Sequence, residues 1–152
     1  MKLLTVFLAA GVSLFAADLS GVKSIYLMPM SGGLDQYLAN RLAKLSAIQV
    51  VTDPQKADAI FTDRIGVNFE QSLDSMYAEK KKSDGKMTTE DFTRPTSAPG
   101  TRGKGSLFLV DRQTRVILWS TFATAKSNAA GEMNQLAIKV AEQFDKDRAG
   151  KK

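Results

Sequence analysis

The chain has 152 residues, 43% of them hydrophobic, and 21 lysines and arginines against 16 aspartates and glutamates give a formal net charge of +5. That length suits one domain with its own core. Histidine and cysteine are both absent. Their absence excludes disulfides, thiolate metal sites, a lipid-modified leader cysteine, and the usual general base and thiol nucleophile.

Residues 1–17 read as a signal peptide. Lys2 precedes an apolar run, Leu3–Ala17, and polar Asp18-Leu19-Ser20 follows. The rival reading is an uncleaved anchor, but the run is short of the ~20 apolar residues that span a bilayer. The expected location is therefore outside the cytoplasm, in the periplasm, with the extracellular space as the alternative. The leader carries only Lys2, so the positive excess persists without it. Such an excess favours acidic surfaces such as anionic lipid or wall polymer, and equally serves plain solubility.

The single domain expected at residues 18–152 is α/β. Val22–Met28 is a β-rich run ended by Pro29. After Ser31-Gly32-Gly33, the spacing of Leu34, Leu38, Leu42 and Leu45 predicts an amphipathic helix with Asp35 in its first turn. Ala47–Val51 is a second strand, Asp53-Pro54 opens about one turn of helix, and Ala59–Phe69 is a third strand. Leu73, Met76 and Tyr77 support a brief helix from Gln71. Residues 78–104 are poor in apolar side chains and rich in lysine, glycine and proline, the composition of a disordered loop.

Two apolar runs, Leu107–Val110 and Val116–Trp119, flank Asp111–Arg115 and predict a β-hairpin holding the only tryptophan. Trp119 is expected in the core. Met133, Leu136, Ala137, Val140, Ala141 and Phe144 follow helical spacing, with Ser127 or Asn128 as cap and Arg148–Lys152 as a frayed basic tail. The order β-α-β-(short α)-β-long loop-β-β-α implies a five-stranded mixed sheet. Right-handed crossovers place the first three strands parallel in the order 2-1-3, with the hairpin antiparallel beyond strand three. Both hairpin strands are apolar on both faces, Ile117 and Trp119 falling on one face of the second strand. They therefore need cover on both sides, or on one side plus a partner.

No catalytic, cofactor or metal residues emerge. Asp58 and Asp63 have opposite strand parity and do not form a facing carboxylate pair. Asp63-Arg64 and Asp111-Arg112 fall on strands expected to be neighbours, which suggests a cross-strand ion-pair ladder. Two weak binding candidates remain. The turn Ser31, Gly32, Gly33 sits between strand and helix, where phosphate loops occur, but it lacks the G-x-G-x-x-G spacing and carries Asp35 beside it. The other is the basic loop with Lys80, Lys81, Lys82, Arg102 and Lys104. Gly100–Gly105 has neither the spacing nor the following helix of a P-loop.

The passages KSIYLMPM, LDQYLANRLAKL, IQVVTDPQKADAIFTDRI and LFLVDRQTRVILWS carry a resemblance. The chain resembles the small α/β envelope domain shared by the TolB amino-terminal domain, the LpoB-type synthase activators and the CsgG-type assembly proteins. The resemblance covers about Val22–Phe69 and Gly105–Arg148. It implies a non-catalytic domain that binds another envelope protein. Asp63-Arg64-Ile65 departs from the group's Gly-x-Ile in strand three, and there is no lipid-anchoring cysteine, propeller or membrane-inserting hairpin. Specific activities of the group therefore do not carry over.

The expected function is that of an exported, non-catalytic accessory or protein-interaction domain whose partner is another envelope protein rather than nucleic acid. Membrane contact would be limited to an uncleaved leader or a weak anionic-surface contact. The alternative is a small-ligand or polyanion binder. An open strand edge would support the first, and a pocket at the Ser31–Leu34 turn the second.

Overall fold

β1 (Ser24–Leu27) is the centre of a parallel trio, with β2 (Gln49–Val51) on one side and β3 (Ala59–Thr62) on the other. Ile25 is level with Val50 of β2 and with Ala59 of β3. β4 (Ser106–Asp111) runs antiparallel to β3, and β5 (Ile117–Phe122) antiparallel to β4. The sheet order is β2-β1-β3-β4-β5, the mixed sheet expected from the sequence. The computed structural model describes residues 19–83 and 105–150. The leader and most of the expected disordered loop lie outside the described residues.

One face of the sheet is closed by α1 (Leu34–Leu42) and α3 (Ala130–Gly150). Leu34, Leu38 and Leu42 of α1 meet Met133, Val140 and Phe144 of α3 over Ile25, Phe61, Leu109 and Trp119. Arg41 of α1 donates to Asn134 Oδ1 of α3 at 2.8 Å. Phe61, Trp119 and Phe144 form three mutual edge-to-face pairs with centroids 5.4–6.2 Å apart. Trp119 is buried as expected, and its indole N–H donates to Asp147 at 2.8 Å. A buried indole keeps its hydrogen bond this way while its ring fills the core.

The other face is covered by α2 (Val67–Ser83). Its Phe69 and Leu73 pack on Met28, Ile60 and Val110, with Tyr26, Met76, Tyr77 and Phe108 around them. This corrects the expectation of a strand through Phe69 and a short helix from Gln71. β3 stops at Thr62, whose hydroxyl donates to Arg64 O at 3.0 Å and accepts from Arg64 N–H at 3.2 Å. That local pair competes with the strand ladder. Gly66, at φ 81°, then turns the chain into the helix. The helix also continues through Ser83, into the stretch expected to be loop.

The hairpin turn follows its sequence. The Asp111 carboxylate accepts from the backbone N–H groups of Gln113 and Thr114 at 2.9 and 2.7 Å. The expected Asp-Arg ladder does not form, because the antiparallel register sets Asp111 opposite Ala59, at the far end of β3 from Asp63. Asp63 pairs with its own neighbour Arg64 at 3.1 Å, and Arg115 reaches Glu70 of α2 at 3.3 Å. The register also shifts between Leu109 and Val110, which face Trp119 and Ile117 respectively. A bulge therefore sits at Leu118, and Ile117 and Trp119 do not share a face as plain alternation would have it. At α3, Ser127 Oγ accepts from Ala129 N–H at 3.3 Å and the helix begins one residue later, at Ala130. Helix continues to Gly150, where a frayed tail was expected, and Arg148 donates to Val22 O at 3.5 Å.

Candidate functional site

β1 leads into α1 on one face of the sheet, and its neighbour β3 leads into α2 on the other. The chain therefore parts at the carboxyl ends of these strands, the switch point where open α/β sheets place ligands. Two short segments meet there, Met30–Gly33 after β1 and Asp63-Arg64 after β3.

Asp63 joins them. It is only 6% exposed. Its Oδ2 accepts from both the backbone N–H and the hydroxyl of Ser31 at 2.9 Å, and its Oδ1 accepts from Arg64 Nε at 3.1 Å. Asp35, at the start of α1, accepts from Met30 N–H at 3.1 Å and from Gln36 Nε2 at 2.7 Å. Gly33 N–H donates to Met30 O at 3.2 Å. Carboxylates and a carbonyl of the chain itself thus occupy amides that a phosphate loop would direct at its ligand. Gly32 and Gly33 have φ of 68° and 71°. A Cβ on Gly32 would lie 3.0 Å from Met133 Cε and 3.1 Å from Asn128 Oδ1. Its two demands, left-handed backbone and close approach of α3, are both met by glycine.

Beside this turn is an open cleft of about 270 Å³, whose lining includes Ser31, Leu34, Asp63, Leu107, Thr124 and Met133. The candidate turn thus contributes Ser31 to a real concavity, in the company of Asp63, apolar side chains and the uncharged polar Ser106, Thr124 and Asn128. Among the described residues, no lysine or arginine lines it. Of the basic candidates, Lys80, Lys81 and Lys82 fall in the last turns of α2, while Arg102 and Lys104 lie outside the described residues. Asp63, expected from the sequence in a cross-strand ion-pair ladder, instead joins the two connections through Ser31. Its signal was its parity: an acidic side chain in register with Phe61 on the apolar face of β3.

A second depression, of about 290 Å³, lies near the opposite end of the sheet and includes Asp58, Asp111 and Arg112 in its lining. Asp58 accepts from the N–H groups of Lys23 and Ser24 at 3.0 and 2.9 Å. Partial burial pushes its pKa up, but those bonds, the Ser24 hydroxyl and Arg112 together hold it below the ordinary value. At Asp111 the Thr114 N–H lowers the pKa against partial burial, helped by the Thr114 hydroxyl, Gln113 N–H and Arg112. Both carboxylates stay ionised and act as backbone caps rather than as proton donors. Asp58 and Asp63 flank β3, about 16 Å apart at the usual strand rise, well beyond the ~10 Å within which paired carboxylates work on one bond. Tyr26 is raised by burial and, secondarily, by Asp35.

Among the described residues no group of three or more acidic side chains could hold a metal ion, and no helix is long and apolar enough to cross a membrane. No family model, curated protein or solved structure matches this chain.

Proposed function

We propose that the protein is an exported, non-catalytic interaction domain of the cell envelope, and that it takes an extended segment of another envelope protein along β5 as a sixth strand. The observation that supports this most directly is the outer edge of β5, the last strand in the sheet order, with which no other strand among the described residues pairs. Natural edges are blunted by shortness, charge, proline or bulges. The opposite edge, β2, is short at three residues. β5 has six, Ile117–Phe122, with no charge and no proline. Its bulge sits at Leu118, towards one end, and leaves Trp119–Phe122 in regular register with β4. Phe122 is 71% exposed and Ile117 42%. Both oppose α2-side residues of β4, Ser106 and Val110, so both lie on the face that α2 covers only in part. A strand added beside β5 would satisfy its outward amides and cover these two side chains.

Chemistry supports the same reading. The chain has no histidine or cysteine, and its buried carboxylates, Asp35 and Asp63, serve local hydrogen bonds to Met30, Gln36, Ser31 and Arg64. The resemblance to envelope domains of the TolB, LpoB and CsgG group points in the same direction.

The test is a photo-crosslinking residue at position 122 in the full chain, produced in its own envelope. The expected product is one discrete adduct with another exported protein. Adjacent strand amides point to opposite edges, so either Ser120→Pro or Thr121→Pro should abolish it. An adduct that survives both prolines, a product containing only this chain, or no adduct at all refutes the proposal.

A further inference from the structure

The cleft between Ser31 and Asp63 has a chemistry that strand addition at β5 does not use. The Ser31 hydroxyl donates its one proton to Asp63 Oδ2, so its oxygen offers only lone pairs to the cleft. The Asp63 carboxylate accepts from Ser31 N–H, Ser31 Oγ and Arg64 Nε, and retains acceptor capacity at Oδ1. Arg64 lies outside the lining, and Asp63 is the only charged side chain within it among the described residues. Leu34, Leu107, Met133 and Leu136 supply apolar wall. The volume, about 270 Å³, equals about nine waters at ~30 Å³ each. Ser106, Thr124 and Asn128 add uncharged polar groups to the wall. With Asp63 ion-paired to Arg64 at 3.1 Å, the polar end of the cleft offers acceptors and no cation to an anion, and Leu107 and Met133 offer hydrocarbon.

We infer that this cleft binds a small organic ammonium ion with an apolar body of roughly nine heavy atoms. The ammonium donates to Asp63 and Ser31, and the hydrocarbon lies along Leu107 and Met133. The placement is a second, independent argument: the cleft opens at the carboxyl ends of β1 and β3, where their connections leave for opposite faces of the sheet. This ligand carries the opposite charge to the anion that a phosphate-loop reading of the Ser31-Gly32-Gly33 turn would place there. A phosphate or carboxylate would meet Asp63 with the Met30, Ser31 and Gly33 amides already occupied.

The test uses the full chain purified from the envelope and labelled with ¹⁵N. The probes are phenethylammonium, phenethyl alcohol and phenylacetate, which keep the benzyl group and change the head group from cation to neutral to anion. Phenethylammonium should saturate, shifting the amides of Ser31, Asp63, Thr124 and Asn128. The alcohol should bind about tenfold more weakly, the usual worth of a charge-assisted hydrogen bond, and phenylacetate should not saturate. Asp63→Asn should remove the preference for ammonium. Because Asp63 also ties two segments together, Thr124→Trp is the second variant. Thr124 is exposed at the rim, and an indole there should block binding without changing the unfolding midpoint. Equal binding of the three probes, tighter binding of phenylacetate, shifts away from these residues, or unchanged binding in Thr124→Trp overturns the inference.

Discussion

Phe144 and Phe122 have the same chemistry and opposite surroundings, and exchanging each for alanine separates stability from partner binding. Phe144 is fully buried, with ring centroids 5.4 Å from Trp119 and 6.2 Å from Phe61. Phe144→Ala should cost about 3–5 kcal/mol, from lost transfer free energy and the cavity left behind. Domains are stable by only ~5–15 kcal/mol, so this is a large fraction of the total. At a urea slope of about 2 kcal/mol/M the midpoint should fall by roughly 2 M. Phe144→Leu keeps most of the volume and loses two edge-to-face contacts, worth ~0.5–1.5 kcal/mol each, so it should cost about 1–3 kcal/mol. Phe122→Ala, on an exposed side chain, should stay within ~0.5 kcal/mol of the parent and lose the envelope adduct formed by a photo-crosslinking residue placed instead at position 117. Trp119 touches Phe144 and is the only tryptophan, so its fluorescence during urea unfolding reports directly on this cluster. A Phe144→Ala cost below about 1 kcal/mol, or an equal cost for Phe122→Ala, would show that α3 does not seal the sheet as described.

Three further outcomes follow from named contacts. Asp58 and Asp111 have folded pKa values below those of the unfolded chain. Their stabilisation is therefore full above the unfolded value near ~4 and is lost as pH falls through the folded value. Replacing both by asparagine should flatten the decline of the urea midpoint between pH ~5 and ~3, and an unchanged slope would remove them as acid-sensitive caps. Gly33→Ala should cost roughly 1–2 kcal/mol for left-handed backbone alone. Gly32→Ala should cost more, because its Cβ also meets Met133 and Asn128, and equal midpoints for the two variants would contradict that contact. Thr62→Val removes both hydrogen bonds to Arg64. It should destabilise by about 1–2 kcal/mol, read as a lower thermal midpoint, and no change would mean that those bonds do not end β3.

Much of this molecule is decided by short-range pattern. The leucine spacing of Leu34–Leu42, the turn chemistry of Asp53-Pro54 and Asp111–Arg115, and the helical rhythm of Met133–Phe144 each specify an element from residues close in sequence. Right-handed crossover then restricts how those elements can stack, which is why the strand order was legible. α2 was less so. Phe69, Leu73 and Met76 have helical spacing, but Ala59–Phe69 alternates well enough to continue as a strand. The choice was made by Thr62 turning back on Arg64, by Gly66, and by a bare sheet face needing cover.

The bulge at Leu118 and the commitment of Asp63 to Ser31 depend on residues from different parts of the chain. The bulge exists only because β4 and β5 pair in a shifted register, and that register sends Trp119 to the core and Ile117 to the opposite face. Asp63 and Ser31 are 32 positions apart in sequence, and local pattern has no means of pairing them. Sequence alone marks the glycine turn as a place to seek a ligand. Only packing β1 beside β3 set the Ser31 amide and hydroxyl on Asp63, and so put an acidic side chain rather than a basic one at that cleft.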